Sequence, residues 1–189
     1  MLETLQGLAA LRDRLDVEIL VMVDVPDAAR EEAGRTMAAL NRPAVEAMEG
    51  LEVHSATDVT GYGLLGHAYE MMEASATTAQ FWVDAIPLLS EARRLAAKGI
   101  APDGSRVNVR NLRPRSEVGP GVSEDDFLLL ADAQTSGGLL VALPESQGEE
   151  YARRCRERGA ESATVVGRVA ARGKFSLEVR KNETSGRKS

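Results

Sequence analysis

The sequence predicts a domain of the α/β or α+β class, in which helices cover a sheet. Short apolar runs of strand length alternate with amphipathic stretches of helix length along the chain. The 189 residues are enough for one domain with a buried core. Aromatic residues make up only 4% of the chain, so we expect a core built mainly from Leu, Val, Ala and Met.

Leucines at helical spacing and a continuous apolar run, VEILVMV, predict a helix and then a buried strand at the start of the chain. Asp27 is a suitable cap for the next helix, and Gly99 ends the last helix of this half. The predicted elements are a helix over 2–15, a strand over 17–23, helices over 27–40 and 43–48, a strand over 51–56, a helix ending near Ser75, a strand over 80–83 and a helix over 88–98.

Residues 100–123 contain three of the seven prolines and little periodicity, which predicts a long loop. The elements predicted after it are a helix over 124–131, a polar turn over 132–138, a strand over 139–143, a helix over 145–158, strands over 163–169 and 175–179 that turn at Arg172-Gly173, and a disordered tail from Lys181.

Charge and composition exclude several classes of protein. The net charge is −6 and no basic run occurs before the last residues, which argues against a nucleic-acid partner. No apolar run approaches the ~20 residues of a membrane span, and the N-terminus lacks the pattern of a secretory signal. Cys155 is the single cysteine, which excludes an internal disulfide and a cysteine-based zinc site. We therefore expect a cytoplasmic protein without a membrane partner.

The chemically most informative segment is TDVTGYGLLGH, residues 57–67, which leads into a helical apolar pattern. In one interpretation it is an ordinary capped turn whose glycines supply positive φ. In another, Asp58 holds Mg²⁺ while hydroxyl and backbone N–H groups take phosphate oxygens at the helix N-terminus. A second polar turn, DAQTSGG at 132–138, favours the phosphate interpretation because two such turns can form the walls of one anion site.

A third interpretation is a dinucleotide-binding unit. Residues 61–66 match G-x-G-x-x-G, and Asp84 stands about twenty residues further on. The residues directly before the first glycine are polar, however, whereas a central parallel strand is a nearly continuous apolar run. We therefore keep a nicotinamide-dependent protein only as a minor alternative.

Both motifs resemble the C-terminal domain of the selenophosphate synthetase (selenide, water dikinase) family, within the aminoimidazole ribonucleotide synthetase-like superfamily. The family carries D-V-T-G-F-G-L-L-G-H and D-P-Q-T-S-G-G; here these are residues 58–67, with Tyr62 for Phe, and 132–138, with Ala133 for Pro. Leu40-Asn41, the segment 101–108 that ends in Asn108, and VGRV at 166–169 agree as well. The resemblance covers about 37–179.

The resemblance implies an α+β fold, a three-layer α/β/α domain with a mixed sheet related to the ferredoxin-like fold. It also implies a Mg²⁺-dependent reaction that makes selenophosphate from ATP, selenide and water. Asp58 corresponds to a family Mg²⁺ ligand, and no catalytic residue is predicted in this chain. The residues predicted to contact Mg²⁺-bound ATP are Thr57, Thr60, Gly61, Gly63, Thr135, Ser136 and Gly137.

Family parts that are absent from the sequence limit what the chain is expected to do alone. No segment matches the family's ATP-binding lysine or its cysteine or selenocysteine nucleophile, and Cys155 lies among arginines on a predicted surface helix. We therefore expect weak Mg-ATP binding by this chain alone and a partner, which is an ATP-binding domain of the same enzyme or a second subunit. A homodimer and a non-catalytic, partner-binding module of the same fold are the alternatives.

The chain is predicted to divide into a divergent segment over 1–36, the C-terminal-type domain over 37–180 and a tail over 181–189. His67 has no cluster of metal-ligating neighbours in the sequence, so a buried, hydrogen-bonded structural role is expected. For Asn41 and Asn108, hydrogen bonding within the protein and direct contact with substrate remain equal alternatives.

Overall fold

The computed structural model describes residues 27–182. The predicted helix over 2–15, the strand over 17–23 and nearly all of the predicted tail lie outside these residues. The helices are α1 (Asp27–Ala38), α2 (Arg42–Glu46), α3 (Gly63–Ser75), α4 (Ala92–Ala97), α5 (Asp103–Leu112), α6 (Glu124–Leu130) and α7 (Glu145–Glu157). The strands are β1 (Ser55–Asp58), β2 (Thr77–Trp82), β3 (Ser116–Val118), β4 (Leu139–Ala142), β5 (Gly167–Ala171) and β6 (Leu177–Arg180).

Two sheets organise the described part of the chain. Strands β1 and β4 form an antiparallel pair in which Asp58 lies opposite Leu139. The larger sheet has the order β3-β6-β2-β5, with β6 parallel to both β2 and β3 and β5 antiparallel to β2. The predicted α+β class with a mixed sheet is therefore confirmed.

The core lies between one face of the mixed sheet and the helices packed on it. Phe81 of β2 and Val179 of β6 are buried on this face, and Leu65 of α3 packs in the same cluster. Phe127 of α6 is fully buried there as well. This packing fixes α3, whose first residue follows the glycine-rich turn.

The prediction of a long loop over 100–123 is wrong, because this segment contains α5, a 3-10 turn at Arg113–Arg115 and β3. Two of its prolines mark helix ends: Pro102 stands directly before α5, and Pro114 lies in the 3-10 turn that follows it. The buried residues of α5 are Ser105, Asn108 and Leu112. Two of the three are polar, so apolar residues do not mark the buried face of this helix in the sequence.

The dinucleotide-binding interpretation is excluded by the topology. It needs β1 and the strand after α3 to lie parallel in one sheet, but β1 pairs antiparallel with β4, and β2 belongs to the other sheet.

Among residues 27–182 no helix has both the length and the apolar character that crossing a bilayer requires.

Candidate metal and phosphate site

The two glycine-rich turns, which we call the first turn (residues 58–63) and the second turn (residues 132–138), lie side by side. The amide of Val59 donates to Gly138 O at 2.9 Å, and the amide of Gly137 donates to Val59 O at 3.1 Å. The amide of Gln134 donates to Thr60 O, also at 3.1 Å. The turns therefore form one continuous surface, as the interpretation of a single site requires.

Two of the glycines make this close approach feasible. A Cβ atom on Gly137 would lie 2.3 Å from the carbonyl oxygen of Val59. Gly63 has a φ of +67°, and a Cβ there would lie 2.6 Å from the carbonyl carbon of Ala131. Both amides are also used internally, since Gly63 donates to Thr60 O at 2.9 Å. The structure therefore gives these two glycines a packing role.

Asp58 is exposed at the end of β1. Its carboxylate forms no hydrogen bond or ion pair with any residue in the described range 27–182, whereas its main-chain carbonyl accepts from Thr57 Oγ1 at 3.1 Å. Thr135 and Ser136 are exposed on the second turn, and their hydroxyls likewise have no partner within that range. The site thus offers one carboxylate, two hydroxyls and the exposed backbone of Gly61 to a ligand.

Thr60 and His67 form an internal pair. Thr60 Oγ1 lies 3.0 Å from His67 Nε2, and His67 Nδ1 lies 3.7 Å from Glu70 Oε2. Only 11% of the His67 side chain is exposed, so it is the hydrogen-bonded, largely buried histidine that the sequence predicts. The hydroxyl of Thr60 is engaged by this pair. Direct contact between a nucleotide and the seven residues named for it stays a prediction.

Both asparagines singled out in the sequence hydrogen-bond to the turns. Asn41 Nδ2 donates to Gly137 O at 3.0 Å. Asn108 Nδ2 donates to Gly61 O at 2.9 Å and to Ala131 O at 3.0 Å. Of the two alternatives for these residues, the structure shows hydrogen bonding within the protein.

Sequence reasoning missed Ser105. Its hydroxyl donates to Asp132 Oδ1 at 2.5 Å and accepts from the amide of Ala133 at 3.1 Å. Burial raises the pKa of Asp132, although the Ser105 hydrogen bond opposes this shift. Ser105 lies three residues before Asn108 on one helix face. The prediction of a loop over 100–123 does not take this helical spacing into account.

The family of the chain follows from the match between residues 11–180 and the family model described as AIR synthase related protein, C-terminal domain. The chain belongs to this family. Its match begins within the segment 1–36 that was expected to diverge; the predicted division of the chain stays a prediction.

Three curated relatives of this AIR synthase C-terminal domain are named selenide, water dikinase. The chain is 41% identical over 143 residues to the selenide, water dikinase of Clostridium botulinum strain Eklund 17B, which is 76% of this chain and 41% of the relative. It is 42% identical over 149 residues to that of Caldanaerobacter subterraneus subsp. tengcongensis (78% and 43%). It is 39% identical over 155 residues to selenide, water dikinase 2 of Peptoclostridium acidaminophilum (82% and 44%). The predicted resemblance and the predicted fold are confirmed, and the chain spans about two fifths of these relatives.

A solved structure, that of the hydrogenase maturation protein HypE, matches this chain over 89% of its residues, which is 41% of the HypE chain. The TM-score is 0.47 and the sequence identity 20%. At this level of similarity no functional argument follows.

The donor set of the domain fits a magnesium ion only when the ion is shared with phosphate. Within residues 27–182 no three His, Cys, Asp or Glu side chains are grouped as a metal site, so the described residues form no all-protein cage. Mg²⁺ that is bound to a nucleotide needs only one or two carboxylates, because phosphate oxygens and water supply the other ligands. The exposed Asp58 carboxylate meets this requirement.

Cys155 is a free, buried cysteine with 1% of its surface exposed. Burial raises the pKa of its thiol and outweighs the opposing effects of the Tyr151 hydrogen bond and of the Arg158 and Arg156 charges. The neighbouring arginines therefore do not bring this pKa below its usual value. The helix α7 is charged on its outer face, but Cys155 points into the protein with Ala152.

Proposed function

We propose that this chain is the C-terminal domain of a selenide, water dikinase and that it acts together with an ATP-binding domain. In this function Asp58 contributes a carboxylate to a Mg²⁺ ion shared with ATP. The observation that carries the proposal is the exposed Asp58 carboxylate, which has no partner among residues 27–182 and lies beside a second glycine-rich turn. The similarity of the chain to three selenide, water dikinases supports the same reaction.

The described residues suit a supporting role in phosphoryl transfer, which depends mainly on positioning and charge neutralisation. Mg²⁺, when bound, offsets negative charge on the phosphates. The exposed Asp58 carboxylate is accessible to the metal ion of a nucleotide. The Thr135 and Ser136 hydroxyls and the Gly61 backbone are available as hydrogen-bonding groups for its phosphates. The partner supplies the lysine and the nucleophile that this sequence lacks, and the reaction takes place in the cytoplasm.

Complementation tests the proposal. The chain is mixed with the separately expressed part of the Clostridium botulinum relative that lies outside the matched region. Selenophosphate formation from ATP and selenide is followed by ³¹P NMR. We expect product with the wild-type chain and a loss of at least about 100-fold with Asp58→Asn, because a metal ligand is removed. Asp103→Asn, an exposed acid on α5, is the matched control. A stable complex that forms no product contradicts the proposal.

A non-catalytic module of the same fold is the second candidate function. The sequence has no segment that matches the family's ATP-binding lysine or its nucleophile, which favours this alternative. In that case the same mixture forms a complex, or the chain forms a homodimer, and the chain adds no selenophosphate activity.

A further inference from the structure

Asn108 connects the two turns from the side of α5. It is buried, with 8% of its surface exposed. Its side-chain nitrogen donates to Gly61 O in the first turn and to Ala131 O, directly before the second turn. A primary amide carries two N–H donors, so both are used, one for the first turn and one for the residue directly before the second turn. It is the one residue in the described range whose side chain contacts both segments in this way.

Ser105 strengthens the hold of α5 on the second turn. It lies on the same face of the helix, three residues before Asn108, and is fully buried. Its hydroxyl bonds to the Asp132 carboxylate and to the amide of Ala133. Together Ser105 and Asn108 contact three consecutive residues, 131–133, at the start of the second turn, but only Asn108 extends to the first.

We infer that Asn108 is a positioning residue of the metal and phosphate site, an inference that rests on the proposed function. By holding Gly61 and Ala131 at hydrogen-bond distance from one amide group, it sets the separation between Asp58 on one side and Thr135 and Ser136 on the other. A cation at Asp58 and phosphate oxygens at the second turn need this separation to be constant. Asn108 itself does not touch the ligand.

Asn108→Asp separates this role from ordinary stabilisation. Aspartate has almost the same shape but no side-chain N–H, so it places oxygen atoms against both carbonyl oxygens. Asn111→Asp is the matched control, because Asn111 is exposed one turn further along α5 and its side chain has no partner within the described residues. Both variants are compared with the wild-type chain under conditions in which circular dichroism shows them folded.

The first readout is amide hydrogen exchange. The amides of Gln134 and Gly137 bond across to the first turn, whereas the amide of Ala79 bonds to Ser176 O next to the mixed sheet. In Asn108→Asp we expect exchange at Gln134 and Gly137 to accelerate at least about tenfold more than at Ala79, since only the turns lose their link. Equal acceleration at all three amides, or none at Gln134 and Gly137, overturns the inference.

The second readout is paramagnetic broadening by Mn²⁺ in the complex of this chain with the ATP-binding part of the Clostridium botulinum relative, in the presence of ATP. In the wild type and in Asn111→Asp we expect broadening at Val59 and also at Thr135 and Ser136. In Asn108→Asp we expect it to persist at Val59 and to weaken at the second turn; unchanged broadening at both turns contradicts the inference. If the wild type shows no broadening at either turn, the proposed metal role fails, and hydrogen exchange alone decides whether Asn108 links the turns.

Discussion

The carbonyl oxygen of Val59 accepts the amide of Gly137 at 3.1 Å, and this contact joins two segments that are 78 residues apart in the chain. The approach is so close that no side chain fits at position 137, where a Cβ would lie 2.3 Å from the same oxygen. The neighbouring Gly138 has nothing within 4 Å of a Cβ position. We therefore expect alanine substitutions at these two adjacent glycines to differ in their effect on stability.

We expect Gly137→Ala to lower the free energy of unfolding by about 1–3 kcal/mol, because the backbone of the two turns must move apart to admit the methyl group. Gly138→Ala is the control, and we expect it to change that free energy by less than about 0.5 kcal/mol. Urea denaturation of both variants measures the difference. Equal free energies for the two variants contradict the close packing of the turns.

The interactions of the buried Asp126 predict that the folded protein becomes less stable in acid. Burial by itself raises the pKa of Asp126, but the Arg93 guanidinium at 2.5 Å, the Ser123 amide and hydroxyl, and Lys181 at 3.2 Å together hold this pKa well below its usual range. The folded state therefore binds the proton less readily than the unfolded chain. The stabilisation is complete above the unfolded pKa of about 4 and declines as the pH falls toward the folded pKa.

Asp126→Asn tests this linkage. At pH 7 we expect the variant to lose about 1–3 kcal/mol of unfolding free energy, because the charged partners and part of the helix cap are lost. The difference from the wild type should shrink between pH 5 and pH 3. Asp125→Asn, an exposed neighbour in the same helical turn, serves as control. A difference that is constant over this pH range argues against the low pKa.

Cys155 should be unreactive in the folded protein. With 1% of its surface exposed and a raised pKa, we expect its reaction with a disulfide reagent at pH 8 to be at least about 100-fold slower than in denaturing urea. Equal rates in the two conditions contradict the burial of the thiol.

The sequence allowed the two motifs and the helices α3, α6 and α7 to be predicted because these features depend on local patterns. It did not reveal α5, whose buried Ser105 and Asn108 break the apolar periodicity. Strand β1 was predicted at 51–56 but lies at Ser55–Asp58. Within residues 27–182 it pairs only with β4 and is mostly exposed, so its polar residues resemble those of a turn.

The link between Asn108 and both turns is beyond local prediction for a similar reason. Its acceptors, Gly61 O and Ala131 O, lie 47 and 23 residues away along the chain. The sequence marks the asparagine through the resemblance, but only the packing of α5 against both turns shows what it contacts.

The most direct test of the central claim uses the complex of this chain with the ATP-binding part of a relative, in the presence of ATP and Mn²⁺ in place of Mg²⁺. We expect Mn²⁺ to broaden the amide signals of Val59 and Thr60 in the wild type and in Asp103→Asn, and to leave them sharp in Asp58→Asn. Broadening of the same strength in Asp58→Asn contradicts the assignment of this carboxylate as the ligand that the chain contributes.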